Sequence, residues 1–335
     1  MQISNKVSSK PYNTFNIDLD IDQLITIDDV SDFEYLDIDL TKILVLGGGS
    51  NILLTDKLTK PVLHINTKGV KVVNDQESYV LVEACAGEEW HDFVLWAISN
   101  NFGGLENMSL IPGKCGAAPM QNIGAYGVEI KDVLHAVKAF DKTSKKMLTF
   151  HNSECDFGYR SSNFKTIWKD KFIITSIVLK LTKEGYHVLN TSYGAISKTL
   201  EEKQIINSTI KDVSDVVIAI RQSKLPDPKV IGNSGSFFKN PVVEQSLFDA
   251  ILKDNPNMPN YLAENGVKIP AGWLIDQCGW KGKVVGQTGT YKNQALVIVN
   301  HGEATGEEIF NLSKDIQRSV KDKFNIELEA EVNIW

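Results

Sequence analysis

Apolar and polar positions along this chain follow two periods, separated by stretches that follow neither. Residues 43–55, ILVLGGGSNILLT, hold an apolar run at 43–46 that stops at three glycines and resumes at 52–54, which predicts strand, glycine turn, strand. Residues 79–86 form a further strand candidate. From Glu88 to Asn100 the period lengthens. Two acids lead, Trp90, Phe93, Val94, Ala97 and Ile98 share one face, and the stretch from Asn100 to Gly104 stops the helix this predicts. Residues 108–128 are rich in glycine and fit neither period. Residues 172–181 read as a strand and 213–224 as a helix, after which LPDPK reads as a linker at a domain boundary. Thr305-Gly306-Glu307-Glu308 has capping-box spacing and precedes the helical stripe Ile309, Leu312, Ile316, Val320 and Phe324. The last ten residues, IELEAEVNIW, alternate. Ile326, Leu328, Ala330, Val332 and Ile334 face one way, Glu327, Glu329, Glu331 and Asn333 the other, which predicts a half-buried terminal strand.

Composition narrows the class. A chain of 335 residues is long enough for two or three domains. A net charge of −7 excludes a global attraction for nucleic acid or anionic membrane, so an anionic ligand has to be held by local cations and backbone N–H groups. Cys85, Cys115, Cys155 and Cys278 form no CxxC pair, which argues against zinc patterns and a disulfide framework and points to reduced, mostly buried thiols in a reducing cytoplasm. The first residues lack the apolar core of a signal peptide, and no apolar run approaches membrane-spanning length.

Several segments carry candidate chemistry. In GGGSN, residues 47–51, glycine lets backbone N–H groups approach a phosphate, though a tight hairpin is the commoner use of such a stretch. No GK[ST] follows, and Ile52 stands where a dinucleotide fingerprint requires glycine. SLIPGKCGAAPMQNIGAYG, residues 109–127, suits backbone laid against a ligand better than a plain loop. YRSSNFK offers Arg160 for bidentate contact with a carboxylate, with a surface ion pair as the ordinary alternative. Tyr193 stands beside a glycine in a loop, where most tyrosines only pack, and periodicity cannot choose between Glu329 and Glu331. In GNSGSFFKNP, small residues flank Ser236 and leave its hydroxyl accessible. Phe238 occupies the place a GxSxG elbow gives to glycine and the six histidines show no Ser–His–Asp context, which argues against an activated nucleophile; a structural turn is the ordinary reading and a proton donor the functional one.

In order along the chain, GGGSN, IPG-x-x-GAAP-x-QN-x-GAYG, YR-SS-x-FK, LPDPK, GNSGSFFKNP, AGWLIDQCG-x-KG, QALVIVN and LEAEV resemble the UDP-N-acetylenolpyruvoylglucosamine reductase family. These flavoenzymes reduce the enolpyruvyl ether of UDP-N-acetylglucosamine to UDP-N-acetylmuramate. The likeness runs from about residue 14 to the C-terminus, and the SYG around Tyr193 is similar to the substrate-covering loop of the family's first type.

The resemblance implies an α+β fold: a two-subdomain FAD-binding domain of the vanillyl-alcohol-oxidase kind plus an α+β substrate-binding domain. The implied divisions are 1–70 with the terminal strand 326–335, 71–224, and 225–325. Also implied are noncovalent FAD, NADPH as electron donor, UDP-N-acetylglucosamine enolpyruvate as substrate, no metal, no nucleic-acid or membrane partner, and a cytoplasmic bacterial monomer serving peptidoglycan synthesis. Gly47, Gly48, Gly49, Ser50 and Asn51 match the pyrophosphate positions. Ile111, Gly116, Ala117, Gly124 and Tyr126 match the rest of the flavin site, with Arg221 joining them. Lys224, Asn240 and Gln294 match the UDP-sugar contacts, with Tyr193 closing over the diphosphate. Arg160, Ser236 and Glu331 match the catalytic positions; Lys114 and Cys115 fall where the family varies and take no role. The implied chemistry is hydride to C3 of the enolpyruvyl group, stabilisation of the enolate-like charge by Arg160 and protonated Glu331, and a proton from Ser236 to C2. Two rivals are a flavin oxidase of the same fold, which often carries a His or Cys tethering motif not evident here, and a catalytically silent nucleotide-sugar binder, against which the intact Arg160, Ser236 and Glu331 set argues.

Overall fold

The computed structural model describes all 335 residues, and their contacts divide them into two units. The first comprises Met1–Val7, Ile21–Gly48 and Leu58–Arg221; the second comprises Ser8–Asp20, Gly49–Lys57 and Gln222–Trp335. Six α-helices occur along the chain: α1 (Trp90–Ser99), α2 (Gly194–Glu202), α3 (Ile210–Lys224), α4 (Gln245–Asp254), α5 (Ala271–Gln277) and α6 (Gly306–Phe324).

The first unit contains two larger sheets and a short antiparallel pair, Gly124–Ala125 with Val128–Glu129. In one, Val62–Ile65 lies between Asp20–Ile27 and Leu44–Leu46 and is parallel to both. Val62, Leu63 and Ile65 are buried, as the central strand of a covered parallel sheet requires. The other is a five-stranded antiparallel sheet in the order Met147–His151, Leu134–Asp141, Phe172–Thr182, Tyr79–Cys85, Val70–Asp75. The expected helix after Glu88 is α1. Its face of Trp90, Phe93, Val94 and Ala97 is buried in the core these sheets share, and the Trp90 indole donates to Met108 O at 3.0 Å.

In the second unit an antiparallel sheet runs Gly232–Ser236, Gln294–Asn300, Thr288–Tyr291, Val284–Val285, with α5 and α6 packed on it. The stripe foreseen for α6 is buried throughout. Its capping box is formed: Glu308 N–H donates to Thr305 Oγ1 at 3.2 Å, and Thr305 N–H donates to Glu308 Oε2 at 2.7 Å. Replacing Thr305 with alanine is therefore expected to cost about 1 kcal/mol. A chemical denaturation series measures this, and an unchanged midpoint would show that the box adds nothing.

Two expectations need correction. The strands flanking GGGSN do not form a hairpin: Leu44–Leu46 pairs with Val62–Ile65, while Ile52–Leu53 pairs in parallel with Asn333–Ile334. Each strand found a partner distant in sequence, which a local turn signal cannot announce. The terminal stretch is not one strand. Only Asn333–Ile334 is a strand, and Ala330 makes an isolated bridge to Phe238. Burial alternates only from Ile326 to Glu329; Ala330 and Glu331 are both half-buried, the ladder is broken because this segment changes partner along its length, and Ile334 is exposed. Tyr193 lies at the end of its loop, as expected, and is the N-cap residue of α2.

Candidate active site

In the first unit, residues 109–127 are pinned from behind. Leu110 N–H donates to His91 Nδ1 at 2.9 Å, Trp90 N–H to Gly113 O at 2.9 Å, and Gly116 N–H to Ala86 O at 2.9 Å. A Cβ on Gly116 would stand 2.5 Å from Ala86 Cβ, so only glycine fits there. Leu110, Asn122 and Tyr126 all have positive φ, at 58°, 46° and 51°. Such residues cost roughly 1–3 kcal/mol each and persist only where their surroundings over-determine them.

Asn122 is one source of that constraint. Its side-chain amide donates to Glu129 Oε2 at 2.8 Å and to Gly158 O at 3.0 Å, and its Oδ1 accepts from Lys131 N–H at 3.2 Å. The bond to Gly158 ties the glycine-rich segment to the turn bearing Arg160. That turn is closed by reciprocal backbone bonds between Gly158 and Ser161, with Arg160 at φ 53°, where glycine is the usual occupant. Ser162 Oγ donates to Met120 O at 2.7 Å, Lys165 Nζ to Gln121 Oε1 at 3.3 Å, and Arg160 Nη2 to Gly124 O at 3.1 Å. Arg160 and Gly124 are thus brought together.

A second cationic group belongs to the same unit. Arg221 Nε donates to Leu110 O at 3.2 Å. Burial lowers its pKa, Tyr126 opposes that, and Arg160 adds to it as a like charge. Burial also raises the pKa of Tyr126, whose ring meets Tyr193 edge-on at 5.2 Å. Asn107, buried, holds this arrangement by donating to Tyr126 O at 3.1 Å and Asn190 O at 2.8 Å. A buried guanidinium whose charge is further disfavoured by a second like charge suits an anionic ligand.

In the loop 47–51, the backbone N–H groups of Gly48, Gly49 and Ser50 donate to no protein acceptor. Unpaired N–H groups in a glycine turn form an anion-receiving nest. Gly49 has φ 62°, and a Cβ there would lie 1.9 Å from Tyr12 O. A Cβ on Gly47 would meet Ala117 Cβ and Lys114 Cβ at 4.0 Å, so this loop residue lies against the glycine-rich segment. The nest fits a flavin dinucleotide, whose diphosphate its free N–H groups would take.

In the second unit, Ser236 ends the strand Gly232–Ser236 beyond an irregularity in register, with Val297 as its partner. Gly235 has φ 71°, and a Cβ there would have no neighbour within 4 Å, so space is open beside the serine. Behind it Phe237 and Phe238 are buried, with ring centroids 5.1 Å apart and Phe15 packed against Phe237. Phe237 O accepts from Glu331 N–H at 2.8 Å, and Lys239 N–H donates to Glu329 O at 2.9 Å. Asn51 Nδ2 donates to Glu331 O at 3.2 Å. Ser236, Glu331 and Asn51 are therefore joined through one backbone network. Glu331 is half-buried whereas Glu327 and Glu329 are exposed, a distinction that alternation could not supply.

The remaining assigned residues differ in setting. Ile111 is half-buried, Ala117 is exposed, and Lys224 is exposed at the end of α3. Asn240 Oδ1 accepts from Ala271 N–H at 2.9 Å at the start of α5, and Gln294 Oε1 accepts from Leu296 N–H at 3.3 Å, so both already serve the fold. The residues missed by sequence reasoning are His91, Asn107, Asn122 and Asn233; Asn233 Oδ1 accepts from Gly235 N–H at 2.9 Å. Only Asn122 carried a signal, being an asparagine within a glycine-rich run, where left-handed backbone is tolerated.

Residues 33–147 match the FAD binding domain family; the loop 47–51 lies within that span, and Arg160 and Arg221 bond backbone oxygens of it, at Gly124 and Leu110. The fold and site define a flavin-dependent oxidoreductase with FAD as cofactor. Residues 227–335 match the family described as UDP-N-acetylenolpyruvoylglucosamine reductase, C-terminal domain. The UDP-N-acetylenolpyruvoylglucosamine reductase of Flavobacterium johnsoniae is 53% identical over 100% of both chains, and that of Pseudomonas aeruginosa 44% identical over 100% of this chain and 99% of its own. The crystal structure of the Thermus caldophilus enzyme of that name superposes with a TM-score of 0.68 at 24% identity, covering 100% of this chain and 99% of that one, a likeness of fold. The chain belongs to the UDP-N-acetylenolpyruvoylglucosamine reductase family.

Proposed function

We propose that this chain reduces UDP-N-acetylglucosamine enolpyruvate to UDP-N-acetylmuramate with electrons from NADPH, within peptidoglycan precursor synthesis. The observation that carries the reading is the backbone network joining Ser236, Glu331 and Asn51, a proton donor, an acid and a cofactor-loop residue. FAD, when bound noncovalently, would supply the hydride for C3 of the enolpyruvyl group. Arg160 holds the substrate carboxylate and, with Glu331 carrying its proton, stabilises the charge that spreads from C2 onto that carboxylate. Ser236 gives its proton to C2. Its serviceability depends on placement, which the buried Phe237 and Phe238 fix. Lys224, Asn240 and Gln294 bind the nucleotide sugar, and Tyr193 covers its diphosphate. No helix is long and apolar enough to cross a membrane, in keeping with a nucleotide-sugar substrate met in water.

An anaerobic titration tests this directly. NADPH should bleach the flavin spectrum, and the enolpyruvyl nucleotide should restore it; bleaching that this substrate does not reverse refutes the assignment. Acid precipitation should leave a white pellet and a yellow supernatant, whereas yellow retained in the pellet would mean covalent flavin. Tyr193→Phe keeps the edge contact with Tyr126 but loses the hydroxyl. Its substrate KM should rise about tenfold, the scale of one hydrogen bond to a charged group, while flavin reduction by NADPH stays normal. Equal damage to both half-reactions would remove Tyr193 from the substrate site.

A further inference from the structure

Lys114 is nearly buried, with 8% of its surface exposed, inside the glycine-rich segment of the first unit. Its stem lies over the glycine loop: a Cβ on Gly48 would stand 3.4 Å from Lys114 Cγ, and one on Gly47 would stand 4.0 Å from Lys114 Cβ. Its ammonium has only distant acceptors, Asn66 Oδ1 at 3.5 Å and Glu89 Oε1 at 3.7 Å. Charge-assisted hydrogen bonds between such groups close to about 2.7–2.9 Å when they are the intended partners. A buried ammonium that lacks a close anion is expensive, so this one is built for a partner of another kind.

The neighbourhood agrees. Asp20–Ile27, Leu44–Leu46 and Val62–Ile65 are parallel and end together here, running into Asp28, Gly47 and Asn66. The carboxyl end of parallel strands is where ligands of such sheets bind. His64, paired in register with Leu46, has its pKa lowered to about 4 by burial and then by Lys114, so it adds no competing charge. Thr67, two residues beyond Val62–Ile65, is 2% exposed, and its hydroxyl has no protein partner.

We propose that Lys114 is an anion contact of the cofactor site, its ammonium swinging onto the diphosphate of FAD where that group passes the Gly47 and Gly48 backbone. The proposal rests on the FAD reading above and adds a charged residue to it. Glu89 is then a parking place for the ammonium, half-exposed and easily left.

Apoprotein binding tests the proposal without reference to turnover. FAD and riboflavin, which lacks phosphate, are titrated separately by flavin fluorescence into wild type, Lys114→Met and Glu89→Gln. In Lys114→Met the FAD dissociation constant should rise roughly 10–100-fold while that for riboflavin stays the same. The residual FAD affinity should also depend less on salt. In Glu89→Gln the ammonium loses its alternative partner, and FAD should bind more tightly than in wild type. FAD affinity unchanged in Lys114→Met, or FAD and riboflavin affinities falling together, would overturn the proposal, as would unchanged or weaker FAD binding in Glu89→Gln. If Lys114→Met does not fold, the Glu89→Gln titration still decides by its direction. Wild-type apoprotein that binds no FAD would instead sink the flavoenzyme reading itself.

Discussion

Ser236→Ala should leave the flavin reducible by NADPH at close to the normal rate and slow its reoxidation by the enolpyruvyl nucleotide roughly 10²–10⁴-fold, or about 3–5 kcal/mol. The split arises because only the second half-reaction places a proton on C2. Loss of one oxygen at the end of Gly232–Ser236 removes no buried packing: Gly235 beside it faces open space, and the local fold rests on Phe237 N–H donating to Leu296 O at 2.9 Å and on the two phenylalanines. FAD content and melting temperature should therefore match wild type. The high pKa of a serine hydroxyl makes water a poor replacement in a closed site, so the loss can exceed this range. Stopped-flow absorbance, one half-reaction at a time, gives both rates. A variant that reoxidises normally would return GNSGSFFKNP to the status of a structural turn.

What could be read in advance was whatever repeats or punctuates locally. The stripes of α1 and α6 lie four turns or fewer along one helix, and Thr305 and Glu308 are three residues apart, so the sequence displays them directly. Pairing between distant segments has no local signature. Nothing in ILVLGGGSNILLT reveals that one half pairs with Val62–Ile65 and the other with Asn333–Ile334. Short helices were hidden for a different reason: α2 has only Ile196 and Leu200 buried, and α5 is seven residues long with a glycine in its first turn. At the site, glycines and charged residues stood out, while the asparagines that position them did not. Asn107, Asn122 and Asn233 act by bonding backbone groups far away or in tight turns, and an isolated asparagine gives no hint of which.

The alternating tail poses the sharper residue-level question, because Glu329 and Glu331 are two apart and the pattern treats them alike. The structure separates them. Glu331 is half-buried, with its N–H bonded to Phe237 O and its carbonyl bonded to Asn51 Nδ2. Glu329 has its side chain 72% exposed and bonds Lys239 Nζ. Glu331→Gln keeps the volume and the backbone bonds but exchanges the acidic O–H donor for an amide N–H, a far weaker acid, so it should slow reoxidation by the enolpyruvyl nucleotide, by up to about 10²–10³-fold, the full cost of losing one donor to developing negative charge. Flavin reduction by NADPH should be unaffected. Glu329→Gln still offers an oxygen to Lys239, and exposed ion pairs contribute only about 0–1 kcal/mol, so its reoxidation rate should stay within about fivefold of wild type. Rates measured side by side under single-turnover conditions decide the matter: if the two variants slow alike, the effect belongs to the Phe238–Ala330 bridge they flank, and Glu331 loses its place as the acid.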